Sequence, residues 1–115
     1  MRRALAAVAA VVAAFAVTTP AHAATVPYVV SAAFLFTPGD VSVARGETLT
    51  LVNLDPAAHD VTALDVGPGG PLFRSATIDR PGQTAVVTGV ESLEPGVYEF
   101  YCSVHTEMHG TVSVA

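Results

Sequence analysis

The sequence predicts an all-β domain, an antiparallel sandwich or barrel with Greek-key connections, and three observations favour it. Short runs of β-forming residues alternate with turn residues along most of the chain. Apolar and polar residues alternate within several of these runs, as they do in half-buried strands. No segment combines a sustained helical period with helix caps. About eight short strands separated by glycine and proline are typical of sandwiches and barrels.

The first half of the domain contains four predicted strands, each closed by turn residues. The apolar, β-rich run ends at Thr37-Pro38-Gly39-Asp40, the next run ends at Arg45-Gly46-Glu47, and an alternating run ends at the loop Asp55–Ala58. These strands, with the one that follows the loop, are Val29–Phe36, Val41–Ala44, Thr48–Leu54 and His59–Leu64.

The second half contains four more predicted strands. The glycine- and proline-rich segment Gly67–Pro71 is expected to be irregular, and Arg80-Pro81-Gly82 separates two weaker runs. Glu94-Pro95-Gly96 turns the chain into a stronger run. The four strands are Phe73–Ile78, Thr84–Val90, Val97–Cys102 and His109–Val114.

Residues 1–23 are predicted to be a signal peptide that precedes a domain at residues 24–115. Two arginines follow the initial methionine, 14 apolar residues fill Ala4–Val17, and Ala21-His22-Ala23 has small residues at both positions that a signal peptidase reads. A membrane anchor is the alternative interpretation, but a spanning helix needs roughly 20 apolar residues. We therefore expect export to the periplasm or the extracellular space, without stable membrane insertion.

The charge of the predicted domain limits its partners. Residues 24–115 contain three arginines, no lysine and all ten acidic residues of the chain, which gives a net charge of −7 with histidine neutral. Nucleic acid and anionic lipid are poor partners for such a surface. We expect no nucleic-acid partner and a protein partner with a basic docking face.

Cys102 is the single cysteine of the chain, so no internal disulfide can form. A free thiol in an oxidising compartment is a liability unless it is buried, paired or bound to metal. A buried, inert cysteine is one interpretation and a metal ligand is the other. Strand alternation places Cys102 on the face of Tyr98 and Phe100, and because Glu99 on the other face should meet water, Cys102 is expected to face the interior.

Cysteine, histidine and methionine recur at three-residue steps directly after this strand, at Cys102, His105 and Met108. His59 offers a second imidazole, and loops at one end of a sandwich converge although 43 positions separate His59 from Cys102. Two histidines and one cysteine with a weak axial methionine are typical of a blue-copper site, whereas zinc prefers a closer tetrahedral set. We therefore predict one copper ion, Cu(I) or Cu(II), held by these four residues.

Two further residues near the predicted site have two interpretations each. His109 should point away from Met108 on a strand and is expected to be a solvated surface residue rather than a fifth ligand. Tyr101 is expected to be a half-exposed strand residue, and a second exit for electrons beside Cys102 is the alternative.

Several stretches of the chain carry a resemblance to the cupredoxin family, which includes plastocyanin and amicyanin. They are Phe34–Pro38, Gly46–Leu49, Leu51–Asn53, His59 and Tyr98–His105, and they span essentially the whole predicted domain. The short Cys-x-x-His-x-x-Met spacing is similar to that of amicyanin, since the loop of plastocyanin is longer. The resemblance implies a cupredoxin-like Greek-key β-sandwich of about eight strands with a type 1 copper site and His105 at the surface.

The chain departs from the family pattern at two places. Asp60 follows the upstream histidine, where the family usually has asparagine. By resemblance its backbone N–H would point at the Cys102 sulfur and its side chain would reach the loop at Ser103, where an aspartate accepts hydrogen bonds but cannot donate them. Its negative charge should favour Cu(II) and lower the reduction potential. Val104 and Thr106 occupy the ligand loop where the family often has proline, so a less rigid loop is expected.

The resemblance implies a monomeric one-electron carrier that exchanges electrons with redox protein partners. An enzyme is not expected, because oxidase or nitrite-reductase chemistry needs a further copper centre and the predicted domain has only His59, His105 and His109. Copper trafficking, storage or sensing on the same fold is one alternative. A metal-free, immunoglobulin-like adhesion module is another.

Overall fold

The computed structural model describes residues 27–115, so the predicted signal peptide lies outside the described residues. The described part contains ten strands and a one-turn 3-10 helix at Val90–Ser92. Within this range no helix is long and apolar enough to cross a membrane. The strands are Tyr28–Ala32 (β1), Leu35–Thr37 (β2), Asp40–Val43 (β3), Thr50–Asn53 (β4), Thr62–Ala63 (β5), Val66–Gly67 (β6), Gly70–Pro71 (β7), Thr84–Val86 (β8), Gly96–Tyr101 (β9) and His109–Val114 (β10).

Two four-stranded sheets form a β-sandwich, which confirms the predicted fold class. One sheet has the order β2-β1-β4-β8, the other has the order β3-β10-β9-β5, and β6 and β7 form a separate short hairpin. The expectation of purely antiparallel pairing is wrong at two places, since β1 pairs with β4 and β3 pairs with β10 in parallel. These partners are not joined by hairpins, and only strands separated by a crossover can lie parallel.

The first predicted strand is broken into two. Val29–Phe36 was expected to be continuous, but residues 33 and 34 form a two-residue loop between β1 and β2, with Ala32 opposite Leu35. Ala33 and Phe34 have φ values of 51° and 58°. Positive φ at both central residues is the pattern of a type I′ turn, which matches the twist of a hairpin but favours asparagine and glycine. For residues with a Cβ atom, this conformation costs about 1–2 kcal/mol each.

Two other predictions from local pattern are wrong. Phe73–Ile78 is not a strand, because it joins its neighbours only through isolated bridges of Arg74 and Ile78. Gly67–Pro71 was expected to be irregular, but its ends form the hairpin of β6 and β7. In both cases tertiary contacts decide the pairing, which sequence composition does not report.

The hydrophobic core lies between the two sheets and extends to the end of β9. Leu51, Phe73 and Phe100 are fully buried there, and the rings of Phe73 and Phe100 are edge to face at 6.5 Å between centroids. Gly110 on β10 lies opposite Phe100, and a Cβ atom at Gly110 would be 2.3 Å from Cζ of that ring. Gly110 therefore lets the ring of Phe100 lie against the backbone of β10. Phe100 itself is two residues before Cys102 in the chain.

Candidate metal centre

Cys102 follows the last residue of β9 and faces the core. Phe100 and Cys102 are fully buried, while Glu99 before Phe100 is exposed and Tyr101 between the two is half-buried, so the predicted alternation of this strand is confirmed. The buried thiol has little contact with solvent or oxidants, which explains how a lone cysteine is protected.

The loop from Cys102 to Met108 is closed by backbone hydrogen bonds at both ends. The N–H of Cys102 donates to the carbonyl of Met108 at 3.0 Å, and the N–H of Met108 donates to the carbonyl of His105 at 2.9 Å. The N–H of His105 donates to the Cys102 sulfur at 3.4 Å, so the loop holds the sulfur through its own backbone. Met108 is 3 % exposed, so its thioether lies inside the domain next to this closed loop.

His59 is held by the framework of the domain. It is fully buried, and its backbone N–H and carbonyl exchange hydrogen bonds of 2.9 and 3.0 Å with Ile78. Its ring nitrogen Nε2 lies 2.9 Å from Oδ2 of Asp55. Because a carboxylate only accepts, Nε2 is the donor, and the neutral tautomer with its proton on Nε2 offers the lone pair of Nδ1 to a metal.

Asp55 is in the ionised form that this tautomer requires. The N–H of Ala33, which donates to Oδ1 at 3.2 Å, and the hydrogen bond from His59 together hold the pKa of Asp55 below its ordinary value of 3.8. The same carboxylate therefore orients the His59 ring and anchors the turn between β1 and β2. A carboxylate behind a metal-ligating histidine is a recurrent feature of metal sites.

Three of the four predicted ligands converge. The Cys102 sulfur is 3.9 Å from Nδ1 of His59 and 3.9 Å from Nδ1 of His105, and the donor atoms of the three residues lie within 4.8 Å of one another. Metal–nitrogen bonds of about 2.0 Å and metal–sulfur bonds of about 2.3 Å at about 120° would place each nitrogen about 3.7 Å from the sulfur. The spacing and the donor chemistry therefore fit one copper ion in a trigonal arrangement.

Asp60 fixes the start of the ligand loop. Its fully buried carboxylate accepts hydrogen bonds from the N–H of Ser103 at 2.8 Å and from the Ser103 hydroxyl. Thr62 and Thr77 donate their hydroxyls to the same carboxylate at 3.1 and 3.4 Å. The expected reach of Asp60 to Ser103 is confirmed, and every partner here is a donor, as an acceptor-only side chain requires. This anchor restrains a loop that lacks proline.

Three residues around the centre were not identified as site residues from the sequence. Asn53, fully buried, joins β1 to the loop before His59, since its side chain accepts from the Ser31 hydroxyl and donates to the carbonyl of Asp55. Asp55 orients His59, and its position four residues before a predicted ligand was the available signal. Phe34 lies over both histidine rings, and nothing in the sequence pattern indicates it.

The other two residues considered at the sequence level lie on the flank of the domain. His109 is exposed while Met108 is buried, which confirms the predicted opposite directions. Tyr101 is half-buried, as expected, and lies opposite His109 on the neighbouring strand. Both line a groove of about 390 Å³ together with Leu64, Val66 and Pro71.

Comparison with known proteins decides the family. A sequence model described as the cupredoxin-like domain matches residues 5–114, which is nearly the entire chain. The chain belongs to the cupredoxin-like family. Members of this family are electron carriers and bind copper, in agreement with the donor set described above.

Individual relatives agree with this cupredoxin assignment. Plastocyanin from the chloroplast of Physcomitrium patens is 34% identical over 87 residues, which cover 70% of this chain and 50% of that protein. The cupredoxin chain thus spans about half the length of the curated relative that it matches.

Solved structures show the same fold. An oxidised amicyanin variant superposes with a TM-score of 0.66 at 23% identity, and the match covers 78% of this cupredoxin and 82% of the amicyanin. A purple cupredoxin from Nitrosopumilus maritimus gives a TM-score of 0.60 at 26% identity, covering 76% of this chain and 98% of that one.

Proposed function

We propose that this protein is a small exported type 1 (blue) copper protein that carries single electrons between redox partners. The observation that carries the proposal is the meeting of His59, Cys102 and His105 at one end of a cupredoxin-like sandwich, with both Nδ1 atoms 3.9 Å from the sulfur. Met108 would complete the proposed ligand set as a weak axial donor, because it ends the same closed loop and is buried.

The surrounding residues suit a site that changes little when an electron arrives. When bound, copper supplies the one-electron couple between Cu(I) and Cu(II). Asp55 holds the His59 ring, the N–H of His105 holds the Cys102 sulfur, and Asp60 holds Ser103. The His59 ring, the Cys102 sulfur and the start of the ligand loop are thus fixed before the metal binds, and a site that is already oriented reorganises less.

A half-buried His105 supports the route by which electrons would leave. His59, Cys102 and Met108 are buried, whereas the His105 side chain reaches the surface of the domain. The proposed partner docks over this end of the sandwich. Its docking face is proposed to be basic, because the predicted domain has a net charge of −7.

The electrostatic part of this proposal has its own test. Association with a positively charged redox protein should slow as salt is added, since screening shortens the range of the attraction to about 8 Å at physiological ionic strength. A rate that does not depend on salt would remove the electrostatic contribution and leave docking to the apolar surface.

Export is proposed from the leader pattern, with cleavage after Ala23. The buried free thiol is consistent with an oxidising compartment. The intact mass of the exported protein tests the proposal, which requires a product that begins at Ala24. An exported product that retains Met1 would contradict it.

Electron transfer and copper trafficking are separated by one pair of measurements. An electron carrier should give a reversible voltammetric couple and rapid electron self-exchange, seen as broadening of NMR lines in mixtures of oxidised and reduced protein. A trafficking protein should instead give its copper readily to an acceptor protein. We propose no enzymatic role, because among the described residues only one group of three metal-binding side chains is found.

A further inference from the structure

Phe34 lies against both proposed histidine ligands although it is a surface residue. Its ring is edge to face with His105 at 5.0 Å between centroids and with His59 at 6.0 Å. The two imidazoles are themselves 4.9 Å apart. The Phe34 side chain is nevertheless 57% exposed, so burial of apolar surface explains little of its position.

The backbone at Phe34 is unfavourable for phenylalanine. The turn has φ values of 51° at Ala33 and 58° at Phe34, a conformation in which asparagine and glycine are preferred. A strained residue persists where its surroundings fix it, and such residues are concentrated at functional sites. Here Asp55 fixes the turn, because its carboxylate binds both the N–H of Ala33 and Nε2 of His59.

We propose that Phe34 is a positioning residue of the metal centre, which covers the outer side of the two imidazoles and holds the His105 ring in its inward orientation. This inference rests on the proposed copper-binding function. It extends that function, because it assigns a residue outside the ligand set the task of keeping the solvent-accessible ligand in place and slowing the loss of metal.

The decisive variant is Phe34→Gly, since glycine accepts the positive φ of this position while the ring is removed. Phe34→Tyr keeps the ring, and Leu35→Ala removes another exposed side chain, 65% exposed, from the adjacent position of the same hairpin. The first measurement uses the metal-free protein. In Phe34→Gly the NMR signals of the His105 ring protons should lose the shift caused by the neighbouring aromatic ring, while Phe34→Tyr keeps that shift and Leu35→Ala leaves the signals unchanged.

The second measurement is the rate at which the Cu(I)-loaded protein loses copper to bathocuproine disulfonate. The rate should rise about tenfold or more in Phe34→Gly, in the range seen when residues that orient metal ligands are removed, and should be restored in Phe34→Tyr. The metal-free Phe34→Gly protein should be at least as stable to denaturant as the unmodified protein, because the turn is relieved of strain.

Three outcomes would overturn the inference. The first is a Phe34→Gly protein whose His105 signals and copper-loss rate match those of Leu35→Ala. The second is a copper-loss rate that rises only in proportion to a loss of stability, and the third is a failure of Phe34→Tyr to restore the rate. If the unmodified protein binds no copper, the proposed function fails, and the positioning role of Phe34 stands only if Phe34→Gly also weakens the nuclear Overhauser effect between the His105 ring and Cys102 in the metal-free protein.

Discussion

The carboxylate of Asp55 accepts a hydrogen bond from Nε2 of His59 at 2.9 Å, and the other ring nitrogen, Nδ1, lies 3.9 Å from the sulfur of Cys102. The Asp55 side chain is 20% exposed and the His59 side chain is fully buried. The proposed metal site would therefore depend on a loop residue that is not itself a ligand.

Replacing Asp55 should weaken the site without removing a ligand. In Asp55→Ala, Nε2 of His59 loses its acceptor and the ring loses its fixed tautomer, so copper affinity should fall by about 10–100-fold. Asp55→Asn keeps an acceptor oxygen and should lose less. Competition with a copper chelator measures the affinity, and ¹⁵N NMR of the metal-free protein reports the tautomer. Equal affinities in Asp55→Ala and the unmodified protein would contradict the positioning role of this carboxylate.

Because the pKa of Asp55 is lowered, the contribution of this residue to the stability of the fold depends on pH in a defined direction. Because its pKa in the folded protein lies below 3.8, its ionised form stabilises the fold above that value. The contribution is lost as the pH falls through the folded pKa. The difference in unfolding free energy between the unmodified protein and Asp55→Ala should therefore be constant near neutral pH and shrink in acid. A difference in unfolding free energy that grows in acid would contradict this prediction.

Asp60→Asn should raise the reduction potential of the copper-loaded protein. The substitution removes a buried negative charge next to the ligand loop, and that charge favours Cu(II) over Cu(I). It should also destabilise the fold by about 1–3 kcal/mol, since an amide cannot accept all the hydrogen bonds that Ser103, Thr62 and Thr77 now donate. Voltammetry and denaturant unfolding measure the two effects. Asp79→Asn, which removes the same charge from an exposed position, is the control and should change neither.

Met108 is a proposed copper ligand, and its substitution tests whether its thioether bonds weakly to the metal. Met108→Leu should keep copper bound and raise the potential, because a donor to Cu(II) is lost, whereas Met108→Gln should lower it through a harder oxygen donor. Leucine is close to methionine in volume, so the fold should lose no more than about 1.5 kcal/mol. A potential that is the same in all three proteins would show that Met108 is only a core residue.

Gly110→Ala should destabilise the domain by about 1–3 kcal/mol, because the added Cβ would meet the Phe100 ring at 2.3 Å from Cζ. Gly39→Ala is the matched control, since a Cβ atom there has no neighbour within 4 Å. Thermal unfolding of the metal-free proteins compares them. Equal stability of the two variants would mean that the Phe100 ring can move away freely. That result would contradict the close packing of Phe100 against Gly110.

The sequence was sufficient for the parts of the site that are local. The three-residue steps from Cys102 to Met108 lie in one loop, and alternation along β9 correctly placed Cys102 with Phe100 in the core. His59 was joined to them only through the expected convergence of loops, which the 3.9 Å distance to the sulfur confirms. The role of these residues as copper ligands stays a prediction.

The parts that the sequence did not reveal depend on tertiary structure. Ala33 and Phe34 adopt a turn conformation that asparagine and glycine prefer. Residue propensities therefore predict a continuous strand at this turn. The parallel pairing of β1 with β4 follows from the path of the chain between sheets rather than from any local pattern. Asp55 was the missed residue with a usable signal, because an acidic side chain close before a proposed histidine ligand is a common orienting partner.

The most direct test of the proposed copper centre is the visible absorption spectrum of the domain at residues 24–115 after addition of Cu(II). A thiolate bound to copper by Cys102 in a trigonal site predicts an intense charge-transfer band, and Cys102→Ser should abolish that band while leaving the fold intact. A folded, copper-bound, colourless protein, or an equally intense band in Cys102→Ser, would contradict the assignment.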